Sequence, residues 1–217
     1  FVVFGGDGAT YDIGFQWLSG ALERGHKFMY ICLNNEGYMN TGIQRSGATM
    51  LGAWTTTTPA GDLVPGKPQW RKDMTGIVAA HGIPYVAQAA VHNWKDLMTK
   101  VRKAEAAEGP AFLNVFAPCD RGWRYEPEDT MAVSRLAVDA ALWPLYEIVD
   151  GAYKLNGPRH KSKPITDYLS SQGRFRHLMR DREPGVIEDI QANVDREWNR
   201  LRVRCGLEPE VLEKTQV

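Results

Sequence analysis

The first 145 residues predict an α/β fold in which a parallel sheet is covered by helices on both faces. The prediction rests on the alternation of short apolar runs of strand length with longer helix-like segments. Such an alternation is typical of parallel strands, because they need crossover connections. The strand-like runs are Phe1–Phe4, Phe28–Leu33, Tyr85–Ala89 and Ala111–Phe116, and the helix-like runs are Ile13–Arg24, Lys72–His81, Trp94–Ala107 and Thr130–Leu142.

Local signals support these elements in chain order. The first strand runs into Gly5 and Gly6, and Asp12 stands where it can cap the first helix or favour its N-terminus electrostatically. The second strand ends at the pair Asn34-Asn35. Gly109-Pro110 marks the passage from the third helix into the last strand.

Residues 146–217 depart from this pattern and predict a C-terminal helical arm. The segment consists of a polar, turn-rich stretch, an irregular stretch and a charged amphipathic helix that begins near Pro184, at Gly151–Lys163, Pro164–Leu178 and Glu183–Val203 respectively. Its apolar content is low for a separate core. We therefore expect it to pack on the α/β domain of residues 1–145 or on a partner subunit.

The 217 residues carry no net charge, since Lys plus Arg and Asp plus Glu both number 26. This balance does not favour nucleic-acid or membrane binding, and no apolar run approaches the ~20 residues that span a bilayer. Cys32, Cys119 and Cys205 are too few and too scattered for a disulfide framework, which fits a reducing cytoplasm. There is no signal peptide or initiator Met, and Phe1 opens inside a predicted strand, so we expect the later part of a longer subunit.

Asp7 and Asn35 stand just beyond the ends of the first two predicted strands. Parallel strands joined by a crossover helix end at the same edge of a sheet, which is where open α/β sheets bind ligands. A carboxylate and an amide carbonyl are hard oxygen ligands that suit Mg²⁺ bound together with phosphate and water. Gly5, Gly6 and Gly8 let the backbone approach a diphosphate closely. The alternative to a metal site is a purely structural role, in which Asp7 caps a helix and Asn35 is a turn residue.

Three segments carry a specific family resemblance. They read DGATYDIG in Asp7–Gly14, EGYMNTGIQRS in Glu36–Ser46 and GAWTTTTP in Gly52–Pro59. Together with the GDG and NN elements, whose spacing is similar to the thiamine diphosphate signature, they resemble the β subunit of pyruvate:ferredoxin oxidoreductase and its 2-oxoacid relatives. Shorter matches extend the resemblance over nearly the whole chain, at Ala117–Cys119, Gly122–Tyr125, Leu142–Leu145 and Gln172–Phe175.

The resemblance implies the thiamine diphosphate-binding fold and its metal site. Asp7, Asn35 and the backbone carbonyl of Gly37 would ligate Mg²⁺, which holds the diphosphate beside Gly6 and Gly8. In this family the glutamate that activates the aminopyrimidine comes from another domain or subunit. The isolated chain should therefore be inactive until it assembles with subunits that supply the pyrimidine-binding domain.

The polar loop after the metal motif is implied to face the substrate. Asn40 and Thr41 would lie near the thiazolium, where an amide and a hydroxyl can hydrogen-bond a 2-oxo group or an oxyanion. Arg45 can pair with a carboxylate or phosphate, or tie the loop to another subunit. Thr55–Thr58 is either an edge segment or part of the site.

Cys119 has two interpretations. A free cysteine is commonly a small buried hydrophobe. The resemblance instead implies that Cys119 ligates a four-iron four-sulfur cluster whose other three ligands lie upstream of the thiamine motif, outside this chain. We favour the cluster ligand, whereas Cys32 and Cys205 are expected to be structural.

The implied function is that of the thiamine diphosphate-binding subunit of a 2-oxoacid:ferredoxin oxidoreductase. The complex would decarboxylate pyruvate oxidatively with coenzyme A and pass electrons through iron–sulfur clusters to ferredoxin. Pyruvate enzymes of this family commonly carry Asp at the position of Asn34. They also commonly read SSATP where Ser46–Met50 of this chain reads SGATM. These departures leave room for oxalate, without coenzyme A, or for another small 2-oxoacid. A non-catalytic scaffold and a non-redox thiamine enzyme are two further classes, which the intact site residues and Cys119 argue against.

Overall fold

A computed structural model describes residues 1–61, 63–158, 160–180 and 185–210. The strands are β1 Val2–Gly6, β2 Met29–Asn34, β3 Ala60–Gly61, β4 Val64–Pro65, β5 Tyr85–Ala90, β6 Ala111–Phe116, β7 Tyr146–Val149 and β8 Ala152–Leu155. The α-helices are α1 Phe15–Glu23, α2 Met74–Ala79, α3 Trp94–Ala106, α4 Asp120–Trp123, α5 Thr130–Asp139, α6 Ile165–Ser170, α7 Arg176–Arg180 and α8 Val186–Arg204. A π-helix spans Gly8–Ile13, and 3₁₀ turns span Pro127–Asp129 and Gly173–Phe175.

The main sheet has the strand order β1–β2–β6–β5–β7–β8, and the first four of these strands run parallel. The predicted α/β fold is confirmed. Strand β6 has the predicted bounds, but the first helix begins only at Phe15 because the π-helix Gly8–Ile13 precedes it. Helix α5 stops at Asp139, before the predicted Leu142, because Ala141 has a left-handed backbone with φ of 56°.

An antiparallel hairpin within residues 146–155 was not predicted. Strand β7 pairs with β5, and β8 pairs with β7. The hairpin turns at Asp150-Gly151, where both residues have positive φ, 48° and 81°, as a type I′ turn requires. These residues extend the sheet of the α/β domain, so the boundary placed before Tyr146 falls at the first residue of a sheet strand, and helical structure resumes only after the hairpin.

Hydrophobic side chains fill both faces of the sheet. Along β6, Phe112 and Phe116 belong to the larger core, whereas Leu113 and Val115 belong to a smaller core beneath α3. Helix α8 adds Ile190, Val194, Trp198 and Leu201 to the larger core. The predicted start of this helix near Pro184 lies outside the described residues. Within the described ranges, no helix has the length and apolar character needed to cross a membrane.

Glu147 on β7 fastens the hairpin to α3 through a buried carboxylate. Lys103 donates to its two oxygens at 2.7 and 2.8 Å, and Tyr85 and Asn156 donate to it at 3.0 and 3.2 Å. Burial alone would raise the pKa of Glu147, but these donors together hold that pKa below its usual range.

Glu147→Gln is expected to lower the free energy of unfolding at pH 7 by about 1–3 kcal/mol, because three donors lose a charged acceptor. A carboxylate with a depressed pKa in the folded state stabilises the protein above its unfolded-state pKa, and this contribution is lost as the pH falls through the folded-state pKa. The difference between the two proteins should therefore shrink below a pH of about 4.3. Urea unfolding at several pH values measures it, and a difference that stays constant with pH would contradict this role.

Candidate functional site

A cleft lies at the edge of the sheet where β1 and β2 end. The parallel pairing sets Gly6 beside Leu33, so that Asp7 and Asn35 leave the sheet as neighbours. The cleft has a volume of about 260 Å³ and is lined by Gly6, Asp7, Gly8, Ala9, Asn35, Gly37, Tyr38, Met39, Asn40 and Thr41. All seven residues predicted to contact metal, thiamine diphosphate or substrate are among them. Their individual roles stay a prediction.

Three oxygens converge in this cleft. The amide oxygen of Asn35 faces Oδ1 of Asp7 and the backbone carbonyl oxygen of Gly37, each at 2.9 Å. Oxygens at this distance repel one another unless a cation lies among them, or unless the amide turns over so that its nitrogen donates to both. Octahedral Mg²⁺ with Mg–O distances of about 2.0–2.1 Å sets neighbouring ligands about 2.9 Å apart. With the Asn35 amide oxygen turned toward Asp7 and Gly37, the three oxygens fit Mg²⁺ in chemistry, and the two distances from Asn35 fit it in spacing.

Asp7 is almost fully buried. Burial raises the pKa of its carboxyl group to about 7, although the Ser46 hydroxyl donates to Oδ2 at 2.5 Å and the Asn35 N–H donates to Oδ1 at 3.3 Å. Asp7 makes no side-chain cap for the π-helix that follows it. A buried carboxylate with a raised pKa is costly to ionise alone, and a bound cation would remove that cost.

The glycines around Asp7 differ in what they allow. A Cβ on Gly8 would come within 2.4 Å of the Tyr38 ring, and a Cβ on Gly5 would come within 2.2 Å of the Tyr30 hydroxyl. Both positions therefore need glycine for packing. A Cβ on Gly6 would meet nothing within 4 Å, so its absence leaves space in the cleft beside Asp7 for a ligand to approach the backbone.

The loop that carries Asn40 and Thr41 is a tight turn closed by backbone hydrogen bonds between Tyr38 and Gln44, at 2.9 and 3.2 Å. Both tip residues are exposed. The Thr41 hydroxyl donates to Oε1 of Gln44 at 2.5 Å, and the Gln44 amide donates back to the Thr41 carbonyl at 2.8 Å. The turn thus presents Asn40 and Thr41, both exposed, in the lining of the cleft.

Comparison with known proteins identifies the family. The model of the thiamine pyrophosphate enzymes, C-terminal TPP-binding domain, matches residues 1–115. Pyruvate synthase subunit PorB of Thermotoga maritima is 49% identical over 202 residues, which are 93% of this chain and 62% of that protein. This chain belongs to the β subunits of the 2-oxoacid:ferredoxin oxidoreductases. It spans less than two thirds of the length of the first relatives it matches.

Other relatives of this β subunit carry related names. Pyruvate synthase subunit PorB of Methanocaldococcus jannaschii is 51% identical over 89% of this chain and 64% of that protein. Ketoisovalerate oxidoreductase subunit VorB of Pyrococcus abyssi is 46% identical over 93% of this chain and 64% of that protein. The solved 2-oxoglutarate:ferredoxin oxidoreductase from Magnetococcus marinus matches with a TM-score of 0.51 and 25% identity, over 62% of this chain and 52% of that one.

Cys119 of the β subunit follows β6 at the same edge of the sheet as the cleft and is partly exposed. Its backbone carbonyl accepts from the N–H of Trp123 at 2.9 Å, and the Trp123 indole donates to the carbonyl of Asn35, also at 2.9 Å. Among the described residues, no group of three His, Cys, Asp or Glu side chains is placed to hold a metal ion. Burial raises the pKa of the Cys32 thiol to about 12 and also raises that of Cys205.

The departures from the pyruvate pattern do not lie in the cleft. Asn34 is fully buried, donates to the Tyr11 hydroxyl at 2.9 Å and accepts from the Glu36 N–H at 3.0 Å. Met50 is fully buried in the larger core. Asn34 and Met50 do not line the cleft, because both side chains face the interior of the protein.

Three other polar positions singled out from the sequence lie outside the lining of the cleft. Asp12 does not cap α1; its carboxylate accepts from the Gly47 N–H at 2.8 Å. The exposed Arg45 lies 3.4 Å from Gln69 Oε1. The turn Thr55–Thr58 contacts the loop that carries Asn40, since the Thr56 N–H donates to the Ile43 carbonyl at 2.9 Å.

Sequence reasoning missed three residues that hold the site together, namely Ser46, Glu36 and Arg174. Ser46 supplies the shortest hydrogen bond to Asp7, and Glu36 lies in sequence between Asn35 and Gly37, which carry two of the converging oxygens. The sequence offered one signal, the acidic residue Glu36 between Asn35 and Gly37, which needs a cationic side chain as a partner if it is buried. Tertiary structure decides which arginine or lysine becomes that partner.

Proposed function

We propose that this β subunit binds thiamine diphosphate through Mg²⁺ in a complex that oxidatively decarboxylates pyruvate with coenzyme A. The observation that carries the proposal is the convergence of the Asp7, Asn35 and Gly37 oxygens in one cleft of a chain of this family. Pyruvate is supported by the relatives named pyruvate synthase subunits. Because the chain spans only part of those relatives, activity belongs to the whole complex.

The residues of the cleft fall into two groups, one that would hold the cofactor and one that would bind the substrate. Thiamine diphosphate, when bound, supplies the nucleophilic carbon and the electron sink that decarboxylation needs. Asp7, Asn35 and Gly37 offer three hard oxygens to Mg²⁺, and Gly6 keeps the backbone open to the phosphates, with Gly8 beside it in the lining of the cleft. This arrangement would leave the opposite side of the cleft for the substrate.

Asn40 and Thr41 are the proposed substrate-binding residues. Both are exposed and line the cleft, and their amide and hydroxyl groups can donate hydrogen bonds to a substrate oxygen. Such donors stabilise the negative charge that develops on the 2-oxo group. Thr41 would exchange its bond to Gln44 for one to the substrate.

Other subunits would complete the active site. Parallel sheets are normally covered on both faces, yet Phe4 on the edge strand β1 is 67% exposed. Ile13 and Trp17, on the segment that follows the cleft residues, are 76% and 74% exposed. We propose that this apolar surface packs against the subunit that supplies the pyrimidine-binding domain and the activating glutamate.

Electrons would leave through a four-iron four-sulfur cluster with Cys119 as one ligand and three ligands from outside this chain. A partly exposed thiol at the same edge of the sheet as the cleft supports this assignment. Ferredoxin would be the acceptor, in the cytoplasm. Because Asn34 and Met50 lie in the interior, neither residue gives a reason to favour oxalate over pyruvate as the substrate.

The test is to assemble the complete enzyme and assay viologen and ferredoxin reduction with candidate substrates. Reduction that requires pyruvate, coenzyme A, thiamine diphosphate and Mg²⁺ is the expected result. Reduction with oxalate in the absence of coenzyme A would instead establish an oxalate oxidoreductase. Failure of every 2-oxoacid to support reduction by a fully cofactor-loaded complex would overturn the proposal.

Asn40→Ala is expected to lower kcat/KM by roughly 10²-fold, the scale for losing one oxyanion donor. Thiamine diphosphate content should stay at the wild-type level, because Asn40 is not among the three converging oxygens. Steady-state kinetics and thiamine content, measured on the same preparation, separate the two effects. Wild-type turnover in this variant would refute the assignment.

A further inference from the structure

Glu36 sits between two residues whose oxygens converge on Asp7, and its backbone is left-handed with φ of 60°. This conformation is uncommon for a residue with a long side chain and persists only when its surroundings impose it. The Glu36 carbonyl accepts from the Thr49 hydroxyl at 2.6 Å. Because this bend separates Asn35 from Gly37, it decides whether their two oxygens face each other.

The Glu36 side chain is fully buried and does not line the cleft. Arg174 donates to its Oε2 at 2.7 Å, and Arg71 lies 3.4 Å from its Oε1. Arg174 is held in turn, since its Nε donates to Gln172 at 2.8 Å and its Nη2 lies 3.0 Å from the Tyr168 hydroxyl. The ion pair joins the cleft loop to the C-terminal part of the chain.

Trp123 makes a second connection between the same two parts. The Arg174 guanidinium lies 3.7 Å from the centre of the Trp123 ring, and the Trp123 indole N–H donates to the backbone carbonyl of Asn35 at 2.9 Å. Arg174 therefore reaches the loop by two routes, through the Glu36 carboxylate and through the ring that holds Asn35.

We propose that Arg174 is a positioning residue for the metal-binding loop. It fixes the left-handed bend at Glu36 and thereby directs the Asn35 and Gly37 oxygens toward Asp7. The inference rests on the proposed function, since it takes these three oxygens to be Mg²⁺ ligands. It assigns to the C-terminal segment a part in cofactor binding, although that segment contributes no residue to the cleft.

The test uses Arg174→Met and Glu36→Gln in the assembled enzyme. Mg²⁺ is titrated at a fixed thiamine diphosphate concentration, with cofactor binding followed by calorimetry, and stability is measured by urea unfolding. Each variant should raise the apparent Kd for Mg²⁺ at least about tenfold, within the roughly 10- to 100-fold range seen when residues that orient metal ligands are replaced. Glu36→Gln keeps the size of the side chain and serves if Arg174→Met does not fold.

Two further variants separate positioning from plain stability. The double variant Glu36→Gln, Arg174→Met removes both charges of the 2.7 Å ion pair and leaves Arg71 as the charged group nearest to residue 36, so it should regain stability relative to Arg174→Met but keep the weak Mg²⁺ binding. Glu147→Gln, which removes the charge of a buried carboxylate elsewhere, should lose stability and bind Mg²⁺ normally.

Wild-type Mg²⁺ affinity in folded Arg174→Met or Glu36→Gln would overturn the inference, and so would affinity that follows stability through all four variants. The proposed function would survive either result, provided that Asp7→Ala still loses the cofactor. If Asp7→Ala retains the cofactor, the metal site itself is wrongly placed, and the proposed function and this inference both fail.

Discussion

Asp7→Ala is expected to abolish retention of thiamine diphosphate by the assembled enzyme. The substitution removes one of the three oxygens that converge in the cleft. Residues that merely orient metal ligands are worth roughly 10- to 100-fold in affinity, so loss of a ligand should weaken Mg²⁺ binding at least about 100-fold. Thiamine content per subunit after gel filtration and the Mg²⁺ concentration for half-maximal reactivation measure the effect.

Asp7→Ala also leaves the Ser46 hydroxyl and the Asn35 N–H without their acceptor, so urea unfolding of the variant is measured beside its thiamine content. Asp12→Ala is the matched control. It removes a carboxylate on the same π-helix that accepts from the Gly47 N–H at 2.8 Å but lies outside the cleft. Asp12→Ala should keep the cofactor. Undiminished thiamine content in Asp7→Ala, or equal loss in both variants, would contradict the assignment.

The cleft could be located from the sequence because its determinants are local. Asp7 and Asn35 each follow an apolar strand directly, and parallel pairing of neighbouring strands brings such positions together whatever the rest of the chain does. The lining of the cleft by Asn40 and Thr41 follows in the same way, since only a short turn separates them from Asn35. Strand pairing and the short turn thus bring these residues to one cleft, whereas the orientation of their side chains also depends on contacts from elsewhere in the chain.

The supports of the cleft depend on tertiary structure and could not be predicted. Arg174 is 138 residues from Glu36 in sequence, and no periodicity or motif pairs them. The hairpin at Asp150-Gly151 is a different kind of omission. Its turn signal was present in the sequence, but the polar residues around it favoured an arm over an added edge of the sheet.

Cys119→Ala is expected to remove or convert an iron–sulfur cluster in the complete enzyme. Losing one of four thiolates should make the cluster labile or leave a three-iron form. Among the described residues, Cys119 belongs to no group of three His, Cys, Asp or Glu side chains placed to hold a metal, so ligands from elsewhere in the assembly are needed if it binds iron. Ferredoxin reduction should collapse, while decarboxylation of the substrate persists, because electron removal follows it.

Iron per subunit and the electron paramagnetic resonance signal of the reduced cluster measure this effect. Cys205→Ala is the matched control, since Cys205 is also partly exposed but follows α8, away from the cleft. It should keep iron, signal and ferredoxin reduction. Thiamine content should be unchanged in both variants, because neither cysteine lines the cleft. If Cys119→Ala keeps its iron and its reduced-cluster signal, Cys119 is a packing residue and electrons leave the site by another route.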